Sequence, residues 1–194
     1  MEVPLALNHV GVTVPDVFAA IDWYAEVFGM RLLMPPRVLE RPVHAEAGAA
    51  LGPRFRTAWQ AHLLTGNGTG IEVFQFLDPL PDPDDAPEGD AVPFTRLGAW
   101  HICLTHPEPG DVAERARAAG GTVLSEPAVF VPGRPWRLAY LADPWGLVWE
   151  VMSASYAEVF ANWPQPGQTP PEYAVRPHHP AAGESGSHHE GAHA

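Results

Sequence analysis

Histidine and glutamate occur at matching places in the two halves of this sequence. His9 begins the segment HVGVTV and His101 begins HICLTH, while Glu72 in GIEVF and Glu150 in VWEVM each precede a valine. A carboxylate between apolar neighbours in a strand is costly to bury, and a divalent cation would compensate two such charges. Imidazole and carboxylate groups are ligands suited to zinc, nickel, cobalt, iron or manganese. We therefore expect these four residues to bind one divalent metal ion of undetermined identity.

The strands that carry these residues are expected to turn them away from the helix-packed side of the sheet. In HVGVTV the three valines fall on one side and His9 on the other, because side chains alternate between the faces of a sheet. In GIEVFQF, Ile71 and Val73 likewise oppose Glu72. The same alternation applies to the second histidine and glutamate. All four side chains are thus expected to face one concave cavity.

A strand–helix–strands unit occurs twice along the chain. Superposing His9 on His101 aligns Thr13 with Thr105 and pairs the strands IEVF and WEVM. Such a repeat suggests two modules that bury their apolar faces together. The expected divisions are a first module at 1–77, an acidic, proline-rich linker at 78–97, a second module at 98–153 and an extended, disordered, His-rich tail at 154–194. The linker could also act as a lid and the tail could bind metal loosely, although solvated segments are the more typical interpretation.

Composition and charge exclude several classes of function. The 194 residues carry a net charge of −12, with 23 acidic against 11 basic residues, whereas nucleic acids and anionic membranes bind basic surfaces. The single cysteine, Cys103, excludes an intramolecular disulfide and a cysteine-based zinc site. The sequence shows neither an apolar run of membrane-spanning length nor a secretory signal pattern. We therefore expect a cytoplasmic protein that binds neither nucleic acid nor membrane.

Four of these segments together resemble the vicinal oxygen chelate superfamily, to which glyoxalase I, methylmalonyl-CoA epimerase, extradiol dioxygenases, fosfomycin-resistance enzymes and bleomycin-binding proteins belong. They are HVGVTVPDVFAAIDWYAEVFGM, IEVF, WHICLT and LADPWGLVWEV, and the resemblance spans roughly residues 5–153. It implies an α+β fold in which paired βαβββ modules form a cupped, eight-stranded mixed sheet around a metal site. It also implies that the metal ligands are His9, Glu72, His101 and Glu150.

The complete set of two histidines and two glutamates is similar to the glyoxalase I branch of that superfamily. The resemblance implies an isomerase or lyase that transfers a proton on a metal-chelated substrate, with Glu72 or Glu150 as the general base. Thr13 and Phe76 stand where glyoxalase I tends to have an arginine and an asparagine, and these replacements remove polar contacts that a glutathione conjugate needs. We therefore expect negligible turnover of the glutathione–methylglyoxal hemithioacetal.

Two other functions are compatible with the same motifs. An Fe(II)-dependent extradiol-type dioxygenase would use His9, His101 and Glu150 as its ligands and would leave Glu72 free. An aromatic drug-binding resistance protein would hold its ligand in the same cup without converting it. The complete ligand set argues against this second alternative, because binding-only members of the superfamily usually lack it.

The substrate is expected to be a small, apolar or aromatic molecule that offers two adjacent oxygens to the metal. Aromatic side chains near the ligands, together with a few polar ones, suggest such a pocket. Arg54, Gln60 and His62 share a predicted strand with Arg56, although the direction of their side chains is undetermined. The residues expected to contact the substrate are Phe74, Phe76, Trp100, Met152, Arg56 and Tyr140.

A homodimer is expected from the first helix. Phe18, Trp23 and Phe28 give this helix more apolar surface than one module needs to cover its sheet. Exposed apolar surface of this kind marks interfaces between proteins. The partners expected for the chain are therefore a small-molecule substrate and a second copy of itself.

Overall fold

Two βαβββ modules follow one another in the computed structural model, which describes residues 5–41, 43–44, 49–82, 92, 94–95 and 97–161. The first module contains β1 (His9–Thr13), α1 (Val17–Phe28), β2 (Arg31–Glu40), β3 (Thr57–Leu64) and β4 (Gly70–Asp78). The second contains β5 (Ile102–Thr105), α2 (Pro109–Ala118), β6 (Thr122–Val129), β7 (Arg137–Ala142) and β8 (Val148–Met152), and α3 (Tyr156–Phe160) follows it. The expected α+β fold of paired modules is confirmed.

Each module forms its own mixed sheet. The strand orders are β1-β4-β3-β2 and β5-β8-β7-β6. The pairs β1–β4 and β5–β8 are parallel and the other pairs are antiparallel. The eight described strands thus lie in two four-stranded sheets and are not merged into the single eight-stranded sheet that we expected. The two sheets would merge if β1 paired with β5, but each of these strands lies at the edge of its own sheet and they do not pair with each other.

Local signals at both ends explain where α1 begins and ends. The side chain of Asp16 caps the N-terminus by accepting hydrogen bonds from the backbone N–H groups of Phe18 and Ala19, at 2.9 and 3.1 Å. Gly29 follows the helix with φ of 68°, a left-handed conformation that glycine adopts without steric cost. The first strand and helix of the module are therefore joined by a turn that the sequence encodes.

Alternation along the strands divides each sheet into two faces. Val12 of β1 and Val14, just beyond its end, are buried in the main core, as is Val73 of β4. Trp149 and Val151 of β8 are buried in the same core. We call the side that carries these residues the inner face and the opposite side the outer face. The predicted parity is confirmed for both modules.

Helix α1 packs on the second module as well as on its own. The indole Nε1 of Trp23 donates a 3.0 Å hydrogen bond to the carbonyl oxygen of Ala119, just beyond α2. The same indole lies against Gly121, beside β6, the strand farthest from β5. The ring of Tyr24 lies 5.3 Å from that of Trp149, on the inner face of the second sheet. The two sheets therefore pack back to back through their helices, around one shared core.

This packing removes the reason for which we expected a homodimer. Trp23 is buried, and its ring lies 5.2 Å from that of Phe28 and 6.4 Å from that of Trp145 in the second module. Phe18 is largely exposed, but its ring contacts Trp59 at 5.7 Å. The apolar surplus of α1 is thus covered mainly by the second module of the same chain.

The segment after β8 differs from the extended chain that we expected at residue 154. Ser155 caps α3 by accepting a hydrogen bond from the backbone N–H of Glu158, and Val159 is fully buried with Met152 and Val131. Burial of this valine explains why the segment is helical. Most of the predicted linker and the tail from residue 162 lie outside the described residues. Among the helices that the structure describes, none is both long and apolar enough to cross a membrane.

Candidate functional site

The structure brings the predicted ligands together as two histidine–glutamate pairs. Nε2 of His9 lies 3.4 Å from Oε2 of Glu72. Nε2 of His101 lies 3.2 Å from Oε2 of Glu150. Glu72 lies on β4, which pairs in parallel with β1, the strand that begins at His9. Glu150 lies on β8, which pairs in parallel with β5, the strand that follows His101. The repeat in the sequence therefore corresponds to a repeated His–Glu contact.

The two pairs do not meet within one chain. Glu72 and Glu150 alternate with residues of the shared core, so each pair lies on the outer face of its sheet. Because the sheets pack back to back, the core and the helices separate the two outer faces. Among the described residues, no group of three or more His, Cys, Asp or Glu side chains is arranged to hold a metal ion.

Polar residues of β2 and β3 surround Glu72. Nδ1 of His62 lies 3.6 Å from Oε1 of this glutamate. The side-chain amide of Gln60 donates to the same oxygen at 3.4 Å and accepts at 3.2 Å from the guanidinium of Arg37. Gln60 is buried, so its hydrogen bonds replace contacts with water. The first half-site is thus a polar row across three strands.

Different groups surround Glu150. Cys103 lies beside it on β5 and Tyr140 lies opposite it on β7. Burial, followed by the charge of Glu150 and a hydrogen bond to it, raises the pKa of Tyr140 to about 12. The same causes, in the same order, raise the pKa of the Cys103 thiol to about 12. Both groups are therefore neutral near neutral pH.

The two histidine rings are oriented by different means. Nδ1 of His9 lies 2.8 Å from Oδ1 of Asn8, so a hydrogen bond holds this ring. Nδ1 of His101 is buried without a hydrogen-bond partner among the described residues. Its ring instead contacts Trp100 at 4.1 Å and Tyr140 at 5.8 Å, edge to face in both cases. Aromatic packing therefore orients the second histidine.

A cavity of about 520 Å³ opens beside the second pair. Trp100 and Tyr140 stack in its wall, with ring centroids 5.8 Å apart and planes at 24°. The volume lies within the range of small-molecule sites, about 300–1,000 Å³. The other lining residues are Val92, Phe94, Leu124, Ser125 and Val148.

The remaining predicted substrate contacts lie in varied surroundings. Phe74 and Phe76 stack at 5.8 Å and pack against a small core that includes Phe55. Met152 is buried beneath α3, away from open space. Arg56 donates to the carbonyl oxygens of Pro53 and Phe55. It precedes His62 by six residues, about 20 Å along an extended strand, so the structure does not bring it to the ligands.

Sequence reasoning missed several residues of the two half-sites. Cys103 follows His101 by two positions, so alternation alone could have placed it on the same face. His62 was named on its predicted strand without a direction, which could have been found by counting back through the β3–β4 turn, because Leu64 pairs with Gly70. Arg37 had no such signal, since the β2–β3 register shifts between Met34 and Arg37.

Comparison with known proteins gives matches along most of the chain. Residues 6–151 match the sequence pattern of the Glyoxalase/Bleomycin resistance protein/Dioxygenase superfamily. The chain is 28% identical over 163 residues to a 2-epi-5-epi-valiolone epimerase from Actinomyces sp, a match that covers 77% of this chain and 79% of that protein.

Solved structures with a similar fold extend the comparison. A glyoxalase family protein from Bacillus cereus has a TM-score of 0.63 at 20% identity, over 78% of this chain and 95% of that one. A mutant fosfomycin resistance protein from Listeria monocytogenes, crystallised with Mn(II), has a TM-score of 0.51 at 14% identity, over 80% and 98% of the two chains. At these identities the similarity concerns the fold alone.

Proposed function

Because the chain belongs to the Glyoxalase/Bleomycin resistance protein/Dioxygenase superfamily, we propose that it is a metal-dependent isomerase that transfers a proton on a small, oxygen-chelating substrate. Similarity to an epimerase supports an isomerase-type enzyme. The observation that carries the proposal is the repeated His–Glu contact on equivalent strands of the two modules. His9, Glu72, His101 and Glu150 are the proposed ligands of one divalent ion.

The spacing within each pair fits two ligands of one ion. Ligand atoms about 2.1 Å from an ion, at right angles or tetrahedral angles, are roughly 3.0–3.4 Å apart. The nitrogen–oxygen separations are 3.4 Å between His9 and Glu72 and 3.2 Å between His101 and Glu150. The imidazole and carboxylate donors also suit the divalent transition metals and zinc.

We propose that a complete site requires two copies of the chain. Each outer face carries half of the ligand set, and the shared core separates the two halves. The strands beside the half-sites, β1 and β5, lie at sheet edges, where unpaired backbone groups are available to another chain. In a symmetric dimer, β1 of one copy would lie beside β5 of the other. This arrangement would bring His9 and Glu72 to the partner's second pair, twice per dimer.

The proposed chemistry is proton transfer by a glutamate. A bound divalent ion would act as a Lewis acid that acidifies the C–H bond beside a chelated carbonyl group. Glu72 or Glu150 takes the proton as the C–H bond breaks, and the electron pair moves toward the carbon–oxygen unit. Return of the proton to the other face of the carbon completes an epimerisation. No net oxidation or reduction occurs.

The rows of side chains beside the ligands would select the substrate. Phe74 and Phe76 in the first module, and Trp100 and Tyr140 in the second, would contact its apolar part. Gln60 and His62 would contact its oxygens. Met152 and Arg56 are no longer proposed, because their side chains are engaged elsewhere. We expect negligible turnover of the glutathione–methylglyoxal hemithioacetal, since Thr13 supplies no positive charge for its carboxylates.

The experiment combines metal analysis with proton exchange. Protein supplied with Zn, Ni, Co or Mn is incubated with hydroxyacetone in D₂O, and loss of the CH₂ proton signal is followed by NMR. We expect exchange that His101→Ala and Glu150→Gln abolish, together with loss of stoichiometric metal in His101→Ala. His106→Ala is the matched control, because the side chain of His106 hydrogen-bonds only Glu108 among the described residues. Epimerisation of 2-epi-5-epi-valiolone is assayed in parallel.

Two outcomes would overturn the proposal. Full metal retention in His101→Ala would remove this residue from the ligand set. Iron-dependent oxygen uptake with catechol, without proton exchange of hydroxyacetone, would instead favour the dioxygenase alternative.

A further inference from the structure

Tyr140 contacts both the second histidine–glutamate pair and the cavity beside it. It lies opposite Glu150 across β7 and β8, and the nearby charge of that carboxylate raises the pKa of its hydroxyl group, while its ring stacks on Trp100 in the cavity wall. The same ring meets His101 edge to face at 5.8 Å and 87°. One side chain therefore joins the proposed catalytic carboxylate to the space next to it.

The equivalent position in the first module has different chemistry. Tyr140 pairs with Glu150 across β7 and β8, and His62 pairs with Glu72 across β3 and β4. The second module thus presents an apolar ring where the first presents an imidazole. The two half-sites are therefore not equivalent in what they can bind.

The lining of the cavity indicates the class of group that it accepts. Phe94, Trp100, Leu124 and Val148 contribute apolar side chains. The polar group of Ser125 is already engaged, because its Oγ accepts a 2.9 Å hydrogen bond from the backbone N–H of Tyr140. Burial of a ligand's apolar surface would stabilise binding here, whereas an unpaired polar group would cost free energy.

We propose that this cavity binds an apolar group of the substrate, at least as large as one aromatic ring, and that Tyr140 is a positioning residue that holds Glu150 at the cavity's edge. This inference rests on the proposed function and adds to it the part of the substrate that lies farthest from the metal. Loss of the hydroxyl would free the carboxylate to rotate, and misplacement of a proton-transferring group slows the reaction.

Two probes that differ in one group test the cavity. Hydroxyacetone and 2-hydroxyacetophenone share a ketone next to a CH₂OH group, but the second carries a phenyl ring in place of a methyl group. We expect calorimetry with Mn²⁺-supplied protein to show binding of the phenyl probe about 10- to 100-fold tighter, from the apolar area that its ring buries. Leu124→Trp fills the cavity and should bring the ratio close to 1. Leu124→Phe should have a smaller effect in the same direction.

Tyr140→Phe separates the ring from the hydroxyl group. We expect it to keep the preference for the phenyl probe and its KM, but to lower kcat for proton exchange about 10-fold or more. Tyr156→Phe is the control, because this tyrosine is largely exposed on α3. An unchanged kcat in Tyr140→Phe would refute the positioning role, and equal binding of both probes by the wild type would refute the cavity assignment. A phenyl preference without proton exchange of either probe would leave the cavity assignment intact and refute the proposed function.

Discussion

The hydroxyl group of Tyr24 in the first module donates a 2.8 Å hydrogen bond to Oδ2 of Asp143 in the second. The same oxygen accepts from Nε1 of Trp149 at 3.3 Å, and Oδ1 accepts from the backbone N–H groups of Trp145 and Leu147 at 3.0 Å each. Asp143 is only 3% exposed, so these four donors replace its contacts with water. A buried carboxylate therefore links α1 to the turn between β7 and β8.

Tyr24→Phe should destabilise the fold while preserving the proposed chemistry. The variant removes one of four donors to a buried carboxylate, and hydrogen bonds to charged groups contribute about 1.5–3 kcal/mol. We expect the free energy of unfolding in urea to fall by about that amount. Tyr156→Phe should change it by much less, because Tyr156 is 75% exposed. Equal effects of the two substitutions would contradict the role of the Tyr24–Asp143 contact.

The effect of Tyr24→Phe should depend on pH. Burial raises the pKa of Asp143 above its ordinary value, against the opposing effect of its hydrogen bonds. A raised pKa in the folded state means that this group's contribution to stability is lost as pH rises through the window above the ordinary value. The Tyr24 hydrogen bond favours the ionised form, so its loss should cost most above that window and less below it. Urea unfolding of both proteins from about pH 4 to about pH 8 measures this difference; a larger effect at the acidic end would contradict it.

The sequence predicts which face of a strand a site residue occupies, but not how far apart the two His–Glu pairs lie. The outer-face position of His9 and Glu72 follows from alternation along single strands, which is a local property. The separation of the two pairs does not follow from it, because it depends on where α1 packs. Trp23 and Tyr24 would form an apolar helix face whether α1 packs on the second module or only on its own sheet. Only their contacts with the second module distinguish these two arrangements.

Met152 illustrates the same limit at a single residue. It has the parity of Glu150 on β8, which is why the sequence suggested a substrate contact. The short helix α3 then covers it with Val159. A helix of five residues is too short to give a clear periodic signal, so its effect on Met152 could not be anticipated.

Gly121→Ala should weaken the packing between the modules. A Cβ atom at this position would lie 2.9 Å from Cζ2 of Trp23 and 2.9 Å from the carbonyl oxygen of Ala142. Both neighbours are constrained, because Trp23 is buried and Ala142 belongs to β7, so overpacking should cost about 1–3 kcal/mol. The matched control is Gly66→Ala, where a Cβ atom would meet no heavy atom within 4 Å. Thermal unfolding of the two variants compares them, and equal stability would exclude a close contact at Gly121.

The charge of Glu150 should lower the reactivity of Cys103. The thiolate is the reactive form, and a pKa of about 12 leaves very little of it near neutral pH. Glu150→Gln removes the negative charge, so the thiol pKa should fall and alkylation by iodoacetamide at about pH 9 should become several-fold faster. The pKa should stay above its ordinary value, because burial is the largest cause of the shift. The measurement uses protein treated with a chelator. Glu114→Gln is the control, because Glu114 pairs with Arg117. An unchanged alkylation rate in Glu150→Gln would show that the charge of Glu150 does not affect the thiol.

Mixing two inactive variants should restore activity if each metal site is shared between two chains. His9→Ala removes a ligand from the first half-site, and His101→Ala removes one from the second. A mixed dimer then contains one site with both changes and one site with neither, because each site combines the first module of one copy with the second module of the other. After unfolding and refolding an equal mixture, about half of the dimers are mixed and half of their sites are intact, so proton exchange should return to about a quarter of the wild-type rate.

The control mixes His9→Ala with Glu72→Gln, two changes in the same half-site, and should remain inactive. Absence of recovery in the first mixture, with mixed dimers demonstrated by mass spectrometry, would mean that each chain forms its site alone.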